Sequence, residues 1–178
     1  QLLFQVLQVV DETREMYPRL SKPFENFASI LNVRGRSQSP RIVQLDQPES
    51  VFRRPNSPEI ASFLGEAVFL RASIAGQFAS TALGDVWIYK GNFSLDDSEA
   101  VVLMRPWDFL VTPASNGNGL VDWMHFEGET KLLRITLDSS ERILVRIKSH
   151  ESINVGETVK VTISSNAMHT IYPKFLKQ

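Results

Sequence analysis

Residues 120–147 read LVDWMHFEGETKLLRITLDSSERILVRI, and this stretch decides the fold. Leu120–Phe126 and Lys131–Leu137 are strand-length segments. Between them lies Glu127-Gly128-Glu129, a hairpin loop by its length and its glycine. Asp138-Ser139-Ser140 supplies the next turn. It leads into Arg142–Ile147, where Ile143, Val145 and Ile147 alternate with Arg142, Leu144 and Arg146. That period of two belongs to a strand with one buried face.

The same grammar extends in both directions. Downstream, Val155-Gly156-Glu157 is a turn into Val159–Ile163, where Val159, Val161 and Ile163 alternate with Lys160 and Thr162. His169–Tyr172 is a last short strand. Upstream, Phe109–Val111 follows the Arg105-Pro106 break. Ala100–Met104 is a continuous apolar run, as in a central strand, and Asp85–Tyr89 and Ala67–Ile74 precede it. Short strands with turns every eight to twelve residues indicate a small sandwich or barrel. No crossover helices separate them, which disfavours a parallel sheet. Residues 66–178 therefore read as a mainly β domain of short antiparallel strands.

The chain before residue 66 has a different character. Leu3, Val6, Leu7 and Val10 fall at helical spacing, and Pro18 ends that helix or lies just past it. A second short helix is expected from Pro23 through Phe24, Phe27, Ile30 and Leu31. Residues 1–40 thus read as a helical segment of unassigned role. Its end, Arg34-Gly35-Arg36-Ser37-Gln38-Ser39-Pro40, is a polar loop. Arg34, Arg36 and Arg41 could touch a phosphate, but no aromatic or glycine-rich partner accompanies them, and a solvated linker is the simpler reading. Residues 41–65 form a linker with a strand-like Ile42–Leu45 and two short helices. One starts at Pro48. The other has Ser57 as N-cap, Pro58 at the first helical position and Gly65 to close it.

Composition narrows the function. The hydrophobic fraction of 43% suits a packed core and argues against disorder. Nineteen basic residues against twenty acidic ones give a net charge of −1, without the basic excess of a general nucleic-acid binder. There is no cysteine, so disulfides, thiolate metal sites and cysteine nucleophiles are excluded together. The apolar run Gln1–Val10 lacks the basic leader and cleavage site of a signal peptide, and it is too short before Asp11 and Glu12 to span a bilayer.

A search for chemistry finds no catalytic constellation. A phosphate loop needs glycines and a Lys before Ser or Thr, and no Gly-Lys pair occurs. Asn116-Gly117-Asn118-Gly119 is glycine-rich but joins two strands without a following helix. His150-Glu151 opens like a zinc-protease motif, but Asn154 stands where the second His belongs. His125, His150 and His169 would have to converge from separate strands to hold a metal, and no metal site is assigned. No Gly-x-Ser-x-Gly elbow is present. Asp96-Asp97 is an acidic pair in a loop. Trp87, Tyr89, Trp107, Trp123 and Phe126 invite a comparison with stacking platforms, but without a basic groove most of them are expected in the core.

The order of residues carries a further signal. Arg41-Ile42-Val43-Gln44, then Pro48 through Pro55, then Ala61-Ser62-Phe63-Leu64-Gly65-Glu66 resemble the segment after the ATPase core in ATP-binding subunits of ABC importers. The likeness is to the ferric-iron and spermidine/putrescine branch. Val102-Leu103-Met104-Arg105-Pro106-Trp107-Asp108 is similar to that family's "strand, Arg-Pro, acidic" element. Gly119–Thr130 resembles its next hairpin, and Val155-Gly156-Glu157-Thr158-Val159-Lys160-Val161 its last turn and strand. This is the TOBE accessory domain, an OB-like barrel. The resemblance covers roughly residues 41–173. Residues 1–40 do not match, and Walker sequences, the ABC signature and the switch histidine are missing.

The resemblance implies a regulatory and dimerisation domain without its ATPase core, and no enzyme on its own. ATP and Mg would belong to that core, so no cofactor is expected here. It also implies a cytoplasmic place at the inner face of the membrane, permease subunits as partners through the parent ATPase, and a homodimer formed through β-strands. The alternative is a free-standing oxyanion or small-ligand module of the TOBE/Mop type, with Lys160, Ser164 and Ser165 around a small anionic ligand. A third class, an OB-type nucleic-acid binder, is disfavoured by charge.

Overall fold

The computed structural model describes residues 3–8, 28–33, 41–89, 99–164 and 168–173. The chain divides into two compact units, residues 1–65 and 66–178.

In the first unit, strands β1 (Leu3–Gln8), β2 (Ala28–Val33) and β3 (Arg41–Asp46) form one antiparallel sheet in that order. Leu3 pairs with Val33 and Gln8 with Ala28. The helices expected over Leu3–Val10 and through Ile30–Leu31 are therefore corrected to strands. A short apolar run satisfies both periods, and pairing with a neighbour settles it. Residues 9–27 and 34–40 lie outside the described residues, with Pro18, Pro23, Phe24, Phe27, Arg34 and Arg36 among them. Arg41 opens β3.

Two short helices follow, α1 (Pro48–Arg53) and α2 (Pro58–Phe63). The Ser57 side chain accepts the Ile60 N–H at 3.3 Å, capping α2 as its sequence requires. Val51 and Ile60 are buried together, with Val43 and Leu64 packed against them. The buried Gln44 amide is satisfied on both sides: its Nε2 donates to the Arg54 carbonyl and its Oε1 accepts the Asn56 N–H, both at 2.9 Å.

The second unit contains two five-stranded antiparallel sheets. The first has the order β13-β7-β4-β5-β6, from β4 (Val68–Ala75), β5 (Phe78–Thr81), β6 (Gly84–Trp87), β7 (Glu99–Met104) and β13 (Ile171–Pro173). The second has the order β11-β10-β9-β12-β8, from β8 (Phe109–Pro113), β9 (Gly119–Phe126), β10 (Thr130–Leu137), β11 (Arg142–Lys148) and β12 (Thr158–Ile163). The meander β9-β10-β11 and the return of β12 beside β9 make a Greek key. β8 adds to the far side of β12, and β11 lies against β8 and the 3-10 turn Pro106–Asp108, so this sheet curls towards closure.

One core serves both sheets. Leu70, Val102 and Met104 of the first pack in the same cluster as Val121, Leu133, Ile135, Ile143 and Val145 of the second. The mainly β class read from the sequence is the one observed. β5 was not legible as a strand. Its neighbour Gly76 takes φ +67 in the two-residue turn to β4, a left-handed conformation that glycine adopts without cost.

Candidate functional site

The residues with unusual chemistry meet at the corner after β7. Arg105 leaves that strand and Pro106 starts the 3-10 turn. The turn is closed from both ends: the Arg105 N–H donates to Asp108 Oδ2 at 2.7 Å, and the Asp108 N–H donates to the Arg105 carbonyl at 2.8 Å. The Arg105 side chain is buried, and its Nη1 donates to the Glu66 carbonyl at 2.9 Å. Burial lowers the guanidinium pKa, and Tyr172 and Asp108 pull it back.

His169 completes the corner. It is 6% exposed, and its Nε2 finds no hydrogen-bond partner among the described residues. Burial lowers its pKa, against the opposing pull of Asp108 and a hydrogen bond with the Leu103 backbone. The imidazole is therefore held neutral at ordinary pH.

The ligand residues expected from the sequence are only partly brought together. Ser164 lies at this corner: its N–H donates to the Asp108 carbonyl at 2.8 Å, and its hydroxyl approaches the Trp107 carbonyl at 3.5 Å. Lys160 is exposed on β12, opposite Thr112. Ser164 is four residue steps further along the chain, about 13 Å at 3.3 Å per step. Ser165 lies outside the described residues.

The glycine-rich loop is spent on structure. The Gly117 N–H donates to the Ala114 carbonyl and the Asn118 N–H to the Val159 carbonyl. The Asn118 amide then clamps β12 like an extra piece of strand: Nδ2 donates to the Val161 carbonyl at 3.0 Å, and Oδ1 accepts the Val161 N–H at 2.7 Å. The two N–H groups a phosphate would need are already bonded.

The aromatic residues depart from expectation. Trp87, Trp107, Trp123 and Phe126 are exposed rather than core. Trp87 falls between the buried Val86 and Ile88 and so faces outward, and Trp123 sits after a bulge in the β9–β10 pairing that turns it out beside Arg134. Two of these rings have partners on the surface. Trp87 packs on Phe78 with centroids 4.0 Å apart, and Trp123 stacks on His125 while Arg134 lies 6.0 Å from its centroid. Arg134 is itself paired with Asp122.

His125 and His150 are exposed and His169 is buried. Among the described residues no group of three metal-ligating side chains converges, and no helix is long and apolar enough to cross a membrane. Asp96-Asp97 lies outside the described residues.

No protein-family model matches the chain. Curated proteins do. It is 30% identical over 134 residues to the Fe(3+) ions import ATP-binding protein FbpC 2 of Rhodococcus jostii (strain RHA1), covering 72% of this chain and 38% of that protein. It is 26% identical over 138 residues to the FbpC of Serratia marcescens, covering 73% and 38%. For the FbpC of Haemophilus influenzae (strain 86-028NP) the identity is 25% over 130 residues, covering 70% and 36%. The chain thus spans little more than a third of the length of these relatives. It is related to the ATP-binding proteins of ABC importers, through a shared stretch and not through their whole length.

Proposed function

We propose that this chain is a TOBE-like accessory domain of an ABC importer ATP-binding subunit of the ferric-iron or polyamine type, serving regulation and dimerisation. One observation carries the reading: the relatives share 130–138 residues with this chain, no more than 38% of their own length. The Walker sequences and ABC signature that hydrolyse ATP are not in this sequence. The Greek key with a fifth strand at its open side supports an OB-like barrel, the five-stranded partly open form of that motif. The Arg105–Asp108 corner gives the family's "Arg-Pro, acidic" element a structural task, since it fixes the end of β7 against Glu66 and Ser164.

In this role the domain works in the cytoplasm beside the membrane, meets permease subunits through its parent ATPase, and pairs with a second copy through β-strands. The decisive experiment is to sequence the DNA upstream of Gln1. An in-frame phosphate loop and signature sequence are expected. A stop codon close upstream, without them, would remove the ATPase reading.

A further inference from the structure

The first sheet of the second unit has β13 and β6 at its ends, yet those ends are joined. An isolated parallel bridge links Ile88, just past β6, to His169, just before β13. The His169 N–H donates to the Trp87 carbonyl at 2.8 Å, and the Tyr89 N–H donates to the His169 carbonyl at 2.9 Å. One residue later the Leu103 N–H donates to the Thr170 carbonyl at 2.8 Å, and Ile171 pairs with Val102. A six-residue segment, 168–173, therefore ties β6 to β7 and turns an open sheet into a ring.

We propose that residues 168–173 form an acid-released clasp on this ring, with His169 as the group that opens it. His169 is the second residue of the segment, 94% buried, with Nε2 in the interior. A proton there places a charge in a low-dielectric site. Among the described residues Asp108 favours that charge, and its carboxylate already accepts the Arg105 N–H; the acids of the neighbouring strands, Asp85 on β6 and Glu99 on β7, are exposed. Asp108 is shared with the buried Arg105 guanidinium, whose charge it also favours. Opening the clasp hydrates the imidazolium at the cost of a few backbone hydrogen bonds at a sheet end. The burial that holds the ring neutral thus makes the open form the better proton acceptor.

The sign follows from linkage. The open form binds the proton more tightly, so its population rises as pH falls below the ordinary histidine value of about 6.5, by at most about tenfold per pH unit.

Amide hydrogen exchange on the whole chain tests this, corrected for intrinsic rates, from about pH 7.5 to 5. The amides of Tyr89, Leu103 and His169 should lose protection by up to about tenfold per unit, while those of Leu133 and Val145 in the other sheet hold theirs. His169→Gln should abolish the pH dependence. Should that variant not fold, an NMR titration of the wild-type imidazole serves instead, and the three amides should lose protection in step with its protonation. Protection that stays flat down to pH 5, an equal decline in H169Q, a loss shared by Leu133 and Val145, or an imidazole that protonates with the clasp still protected would each overturn the proposal.

Discussion

At Gly117, in the loop before β9, a missing Cβ permits a close approach to the backbone of β12. A Cβ built there meets the Val159 carbonyl oxygen at 2.1 Å, and that oxygen belongs to a paired strand that cannot give way. Gly117→Ala should destabilise the second unit by about 3 kcal/mol, read as a shifted urea midpoint at unchanged slope. Asn118→Ala should cost about 2 kcal/mol for a related reason, because it strands the Val161 N–H and carbonyl that the amide satisfies. Both residues were conspicuous in the sequence, but their purpose was not. Glycine-rich composition signals close approach to something, and only the return of β12 shows that the something is the chain's own backbone. His169 is a similar case: its neighbours Trp87 and Leu103 are more than sixty residues away in sequence, so nothing local marks it as buried.

The elements were legible where a local rule fixed them. Ser57-Pro58 gave α2 its start because the cap acts within three residues, and Ser57→Ala should cost about 1 kcal/mol in the stability of the first unit, seen in its thermal melt. The meander β9-β10-β11 was legible because Gly128 and Asp138-Ser139-Ser140 punctuate it; Gly128 takes φ +89 in its loop. The strands β1 and β2 were not, since their partners, which decide between helix and strand, come from elsewhere in the chain. The β9–β10 ladder also predicts a pH dependence. A hydrogen bond from Thr136 and the pairing with Arg134 hold the Asp122 carboxyl below its usual range. Its contribution is therefore present above the free carboxylate value and is lost as pH falls through the lowered one. Urea unfolding of wild type should weaken through that acid window, and Asp122→Asn should flatten the slope. The effect is small because the pair faces solvent.

For the molecule as a whole, the mainly β class followed from turn spacing, whereas the partition into two sheets did not, because it depends on which strands return. β8 is hydrogen-bonded to β12 alone, and the described structure has no ladder between β8 and β11. β11 lies beside that edge without bonding to it, and a strand edge left without a ladder can take a strand of another chain. Sedimentation equilibrium should show a monomer–dimer balance that shifts with concentration, and a monomer at every concentration would sink the proposed dimer.

The place of β12 also governs how the protein is made. That strand slots between β8 and β9, yet it leaves the ribosome after both of them and after the two strands that complete the meander. Until residue 163 is free, the nascent chain carries two strands whose facing edges have no partner. Completion waits on contacts between distant parts of the sequence, which are slow to form and exposed to aggregation while they do. Chaperone demand during synthesis should therefore peak late, in the interval between the emergence of Lys148 and that of Ile163.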